Sequence, residues 1–250
     1  MRPLLVLLAA AALLAGCGAD DPDADRPGGT LTVYAAASLI DVFERVEAAY
    51  RERHPDVDVD FGYLSSAGAA TAISQGAPID VFASADERQM QVVADAGLAE
   101  DPQVFAENVL TLAVPEGNPA GVTGLADLAR EDLAVALCAP DAPCGAAAER
   151  LLAAAGVTAR PDTYEEDARA TLQKVELGEV DAALVYVTDA AARQQTVDAI
   201  EVPEAAAAAN RYPISVLAGA RDPAAAQAFV DLVLSAEGRE LLRDAGFRTP

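Results

Sequence analysis

The chain contains no tryptophan, a single histidine (His54), and only 17 lysines and arginines against 40 aspartates and glutamates. Each scarcity removes a class of function. A net charge of −23 leaves no basic face for a nucleic acid or an anionic membrane surface, both of which are recognised through clustered Lys and Arg. One histidine and no G-x-S-x-G elbow leave a serine hydrolase without an evident base, so an extracytoplasmic hydrolase is a remote alternative and no catalytic residue is assigned. Metal-ligating residues do not cluster at the spacings that bare cations require, and no cofactor motif is present. Beyond the first fifteen residues, no apolar run approaches the roughly 20 residues needed to cross a bilayer.

What is present begins at the N-terminus. Arg2 precedes a short apolar run, PLLVLLAAAALLA (3–15), which reads as a signal peptide rather than a membrane span. Leu14-Ala15-Gly16-Cys17 resembles the bacterial lipobox. That resemblance implies a signal peptide over 1–16, cleavage before Cys17, and acylation of its thiol; the alternative is an ordinary signal peptide with an unrelated cysteine. GADDPDADRPGG (18–29) is acidic, rich in Pro and Gly and without apolar periodicity, and so completes a solvated tether over 17–29. The expected location is extracytoplasmic, with the membrane contacted only through a lipid anchor on its outer face. Cys138 and Cys144 lie six apart in LCAPDAPCG. In an oxidising compartment a disulfide is the first reading, and a two-cysteine metal site is the alternative.

About 220 residues remain, enough for one large domain or two lobes. TLTVYAAA (30–37) alternates as a strand. Ser38 stands three ahead of Asp41 as a capping signature, and Leu39, Val42, Phe43, Val46 and Tyr50 form one helical face. Pro55 ends that helix. VDVDFGY (57–63) and DVFASA (80–85) read as strands, with helices following Ser65 and Asp86. After a strand over 109–114 the rhythm restarts. Strands are expected at 133–138 and 182–187 and helices at 145–155 and 168–177, followed by a late strand at 214–217 and closing helices at 224–234 and 238–245. Such a series predicts mostly parallel sheets flanked by helices, arranged as two α/β lobes joined by two crossovers. The expected division is 30–114 plus 213–250 for lobe 1 and 115–212 for lobe 2. A single doubly wound domain is the alternative.

In open α/β sheets, ligands sit beyond the carboxyl ends of strands, where helix N-termini offer unpaired N–H groups and a partial positive charge. Three junctions here are small or hydroxyl-rich: Ala35-Ala36-Ala37-Ser38, Tyr63-Leu64-Ser65-Ser66-Ala67-Gly68 and Cys144-Gly145-Ala146. A fourth, Glu166-Asp167-Ala168, offers Asp167 as an N-cap. Singly, Ser38 reads as a cap, Ser66 as a turn serine and Tyr186 as a core tyrosine. Together they read as an anion cradle of neutral donors.

VYAAASL (33–39), SSAGAATAISQGAPIDVFASAD (65–86), CGAAAERLL (144–152), EDARATLQKVELGEVDAALVYVTDA (166–190) and SAEGRELLRDAGF (235–247) resemble the periplasmic molybdate-binding proteins of ABC importers. The likeness runs from about residue 30 to the end of the chain. It implies a two-lobed type II periplasmic-binding-protein fold that holds molybdate, or tungstate, by hydroxyls and backbone amides without a positive side chain. Carried onto this sequence, the ligand set is the hydroxyls of Ser38 and Ser66, the main-chain amides of Cys144 and Ala168, and the Tyr186 hydroxyl. Molybdenum would thus be bound as its oxyanion, not as a bare cation, and sulfate or another tetrahedral oxyanion is the alternative ligand. The implied partners are a membrane permease and its ATPase subunits, served by a monomeric binding protein.

Overall fold

The expected β/α rhythm is realised in two five-stranded sheets. The computed structural model describes residues 29–250, so signal-peptide cleavage and acylation of Cys17 concern residues outside the described ones. In chain order the first elements are β1 (Thr30–Ala36), α1 (Ile40–Arg53), β2 (Asp58–Leu64), α2 (Ser66–Ser74), β3 (Val81–Ala83), α3 (Glu87–Asp95) and β4 (Gln103–Asn108). There follow β5 (Leu110–Pro115), β6 (Val135–Cys138), α4 (Pro143–Ala155), β7 (Thr163–Glu165), α5 (Ala168–Glu176), β8 (Ala182–Tyr186), α6 (Val187–Ala191) and β9 (Val197–Ile200). β10 (Asn210–Val216), α7 (Pro223–Leu234) and α8 (Ala236–Asp244) close the chain.

The first sheet has the order β2-β1-β3-β10-β4 and the second β7-β6-β8-β5-β9. In the first, β1 is parallel to β2 and β3, whereas β10 is antiparallel to β3 and β4. In the second, β6 is parallel to β7 and β8, whereas β5 is antiparallel to β8 and β9. Both sheets are therefore mixed rather than mostly parallel, because one strand in each enters from the opposite lobe. The expected exit from lobe 1 near Val114 is also corrected. β5 pairs wholly within the second sheet, so the chain leaves the first at Asn108–Leu110 and re-enters it at Asn210. A strand apolar but for one threonine carries no signal of which sheet owns it.

Local chemistry explains the elements. β1 turns Leu31, Val33 and Ala35 inward, and α1 buries Val42, Phe43, Val46 and Tyr50 on one face as its spacing requires. Phe43 meets Phe61, Phe105 and Phe229 at ring-centroid distances of 5.9–6.1 Å, forming the centre of the first lobe. Tyr50 reaches the same cluster and donates its hydroxyl to the Ala225 carbonyl at 3.0 Å. β4, β7, β9 and α6 were not anticipated. QVFAEN lacks clean alternation, and the other three are five residues or shorter.

Candidate functional site

A narrow crevice opens between the lobes. Ser38, Ser65 and Ser66 line it from the first side, and Cys144, Asp167, Ala168 and Tyr186 from the second. All five residues singled out from the sequence meet there. The free space at its centre is about 10 Å³, no more than a single water molecule needs. Among the described residues, no Lys, Arg or His lines it.

Each donor is placed by its own element. Ser38 does not cap α1, contrary to the capping signature. β1 instead runs into a 3-10 turn over Ala37–Leu39, Leu39 becomes the N-cap, and the Ser38 hydroxyl lies 3.0 Å from Tyr212 Oη. Ser66 is the first residue of α2, and its Oγ accepts from the Ala85 N–H at 2.9 Å. Its own hydrogen is thereby free to be given away. Cys144 and Ala168 sit in the first turns of α4 and α5, where N–H groups have no intrahelical acceptor. Asp167 caps α5 as expected, its Oδ1 accepting from the Ala170 N–H at 2.9 Å, so one oxygen of this acidic side chain is committed to its helix. Tyr186 ends β8 at the crevice wall. The N-termini of α2, α4 and α5 thus present partial positive charge without any formal cation.

The loop before α4 is tightly constrained. Cys138 and Cys144 form a disulfide with a Cα–Cα distance of 5.8 Å. The Ala139 N–H donates to Glu165 and the Ala142 N–H to Ala139. Gly145 packs so closely that an added Cβ would lie 1.9 Å from the Ala139 carbonyl oxygen. Only glycine fits there.

The profile of the bacterial extracellular solute-binding proteins matches residues 31–248. The chain belongs to that family. It is 40% identical, over 97% of each chain, to the molybdate-binding protein ModA of Mycobacterium tuberculosis. The periplasmic molybdate-binding protein of Azotobacter vinelandii superimposes with a TM-score of 0.73 at 20% identity, over 88% of this chain and 99% of that one. The sulfate-binding protein SubI of M. tuberculosis does so with a TM-score of 0.77 at 22% identity, over 88% and 86%. The two structural likenesses establish the shared two-lobed type II fold.

In this solute-binding protein, polar contacts close the crevice from both flanks. On one, α3 donates from Arg88 and Gln89 to the Asp141 carbonyl at 2.7 and 3.0 Å, gripping the disulfide loop. On the other, Asp41 of α1 pairs with Arg169 of α5, next to Ala168, and with Arg193 at 3.6 Å. Behind the crevice, Asn108 at the crossover donates to Thr188 Oγ1 at 2.8 Å.

Burial dominates the ionisations. It raises the Tyr186 and Tyr212 phenols well above their ordinary range, so both keep their hydrogens. Asp189, fully buried, is pushed up to about 7 by desolvation, with Arg169 pulling the other way. His54 stacks on Tyr50, ring centroids 4.4 Å apart, and is not among the residues lining the crevice.

The sequence reading missed Asn210, Tyr212, Asp189 and Arg169. Asn210 and Tyr212 carried a faint signal, since they share one face of NRYPISV with Ile214. A polar residue on an inward register needs a partner. Asp189 and Arg169 lie on short helical segments whose neighbours only the tertiary fold brings together.

Proposed function

We propose that this solute-binding protein captures molybdate, and tungstate with it, between its lobes and delivers the ion to an ABC permease and its ATPase subunits. The observation that carries the reading is the convergence of neutral donors from both lobes on one small crevice: Ser38 and Ser66 from one side, the Cys144 and Ala168 amides and Tyr186 from the other. Molybdate at neutral pH is a fully deprotonated dianion that only accepts hydrogen bonds, and each bond to a charged acceptor contributes about 1.5–3 kcal/mol. A handful of them, after association costs, reaches micromolar to nanomolar affinity. The 40% identity to a protein named for molybdate binding supports the choice of ion. An oxyanion is wider than water, so the lobes part to admit it and reclose. The acidic exterior does not oppose capture, because charges farther than about 8 Å are largely screened at physiological salt.

Thermal unfolding with molybdate, tungstate, sulfate and phosphate tests this. A ligand at 100 times its Kd stabilises by about 2.7 kcal/mol, which raises the Tm of a chain this size by about 5–10 °C. The shift is expected with molybdate and tungstate. A shift with sulfate alone would replace the ion, and none with any oxyanion would remove the function.

The same proposal has the mature protein begin at an acylated Cys17 and act as a monomer on the outer face of the membrane. Cys17→Ser is expected to move it from the membrane fraction to the soluble extracytoplasmic fraction. Retention of the variant on membranes would rule the anchor out.

A further inference from the structure

Three hydrogen bonds around Asn210 fix the direction in which the Tyr186 hydroxyl gives its hydrogen. Asn210 is the first residue of β10 and is buried. Its Oδ1 accepts from Arg150 Nη2 at 2.6 Å. Its Nδ2 donates to the Pro143 carbonyl at 3.1 Å and to Tyr186 Oη at 2.7 Å. A guanidinium only donates and a carbonyl only accepts, so the amide cannot be turned round. Both of its N–H bonds are used, and the Tyr186 oxygen is obliged to accept. The one phenolic hydrogen must therefore point away from Asn210. Tyr212, itself bonded to Ser38, is the neighbouring phenol that competes for that hydrogen, its ring centroid 5.9 Å from that of Tyr186. An anion in the crevice is the stronger acceptor.

We propose that Arg150 and Asn210 are specificity-determining positioning residues that hold Tyr186 as an obligate donor towards the crevice, so that the site selects oxyanions carrying no proton of their own. This rests on the oxyanion reading of the crevice and extends it to how ions of similar shape but different protonation are separated. Hydrogen phosphate brings an O–H that needs an acceptor. Tyr186 so oriented offers none. Asn210 also ties the first sheet to Pro143 and Tyr186 of the second lobe, so the orientation is set where the lobes meet.

Calorimetric titration of molybdate and of phosphate at pH 7 tests the chain in wild type, Asn210→Asp, Tyr186→Phe, the double variant and Arg150→Met. In Asn210→Asp the new carboxylate draws the Tyr186 hydrogen to itself and turns a lone pair to the crevice. Molybdate affinity is expected to fall about tenfold or more, and the preference for molybdate over phosphate by at least as much. In the Tyr186→Phe background the same substitution is expected to change both affinities less than about threefold, because the two residues act as one unit. Arg150→Met, which adds no negative charge and removes one of the two groups that hold the amide, the Pro143 carbonyl remaining, is expected to narrow the same preference by less, and it carries the test if Asn210→Asp fails to fold. Equal weakening of both anions in both tyrosine backgrounds would show only a charge or structural effect. That outcome would overturn the inference and leave oxyanion binding standing. A wild-type protein that binds neither molybdate nor tungstate nor sulfate would overturn both.

Discussion

Replacing Arg169 with leucine is expected to lower stability by about 2 kcal/mol more at pH 8.5 than at pH 5. The Asp189 side chain has no exposed surface, and neither carboxylate oxygen has a side-chain hydrogen-bond partner. Among the described residues, the cation set against it is Arg169, whose Nη2 lies 3.9 Å from Oδ1. Desolvation pushes the Asp189 pKa from 3.8 up to about 7, Arg169 opposes the rise, and the carboxylates of Asp41 and Asp167 add to it. The sign follows from proton counting. Between about pH 4 and 7 the native state holds a proton that the unfolded chain has lost, so stability from this group is greatest at low pH and falls as pH rises through 7. The full swing is on the order of 4 kcal/mol. At pH 5 Asp189 is neutral and needs no cation. Above 7 it is charged beside Arg169, and without that cation it keeps its proton at a cost of about 1.4 kcal/mol for each pH unit above 7. Urea unfolding of wild type, Arg169→Leu, Asp189→Asn and the double variant at both pH values measures this. Asp189→Asn is expected to rescue Arg169→Leu at high pH, and an equal cost at both pH values would sink the argument. Asp41→Asn removes the other partner of Arg169 from a nearly half-exposed position and is expected to cost about 1 kcal/mol or less.

Gly145→Ala is expected to abolish most oxyanion binding and to cost about 3 kcal/mol or more of stability. A methyl group there meets the Ala139 carbonyl oxygen at 1.9 Å, its carbon at 2.6 Å and the Cys138 oxygen at 2.8 Å. These are backbone atoms, and the Cys138–Cys144 bridge ties the loop to the helix, so neither partner can withdraw. The start of α4 must tilt, carrying the Cys144 N–H away from the crevice. Gly68, within α2, is the contrast. A Cβ there meets nothing within 4 Å, so Gly68→Ala is expected to be neutral or stabilising by up to about 1 kcal/mol. Calorimetric binding and thermal unfolding of the two variants compare them directly. Wild-type affinity in Gly145→Ala would show that the loop does not need its present geometry.

The fold was legible where pattern and environment agreed. The apolar face of α1, the alternation of β1 and the capping of α5 by Asp167 follow from the order of residues alone. β5 marks the limit, because LTLAVP is apolar but for Thr111 and suits the interior of either sheet. The site was legible through family likeness more than through chemistry. Ser38 looked like a helix cap until Tyr212, 174 residues away, claimed its hydroxyl. Asn210 showed only as a polar residue on an inward register and Arg150 not at all, because neither carries a motif and their importance lies in the direction of bonds between distant segments. Arg169 and Asp189 likewise gain their charge balance only once α5 and α6 are packed together.

The two passages between the lobes make the halves unequal during synthesis. All strands of the second sheet come from one unbroken stretch, 110–200, whereas the first cannot be finished until β10 has emerged to pair with β3 and β4. Until then β3 and β4 each lack a central neighbour, and closing that gap spans more than 120 residues between Ala83 and Ile214. Such long-range pairing is slow, so the nested half is expected to consolidate first and the outer half to remain the stage at which aggregation or proteolysis intervenes.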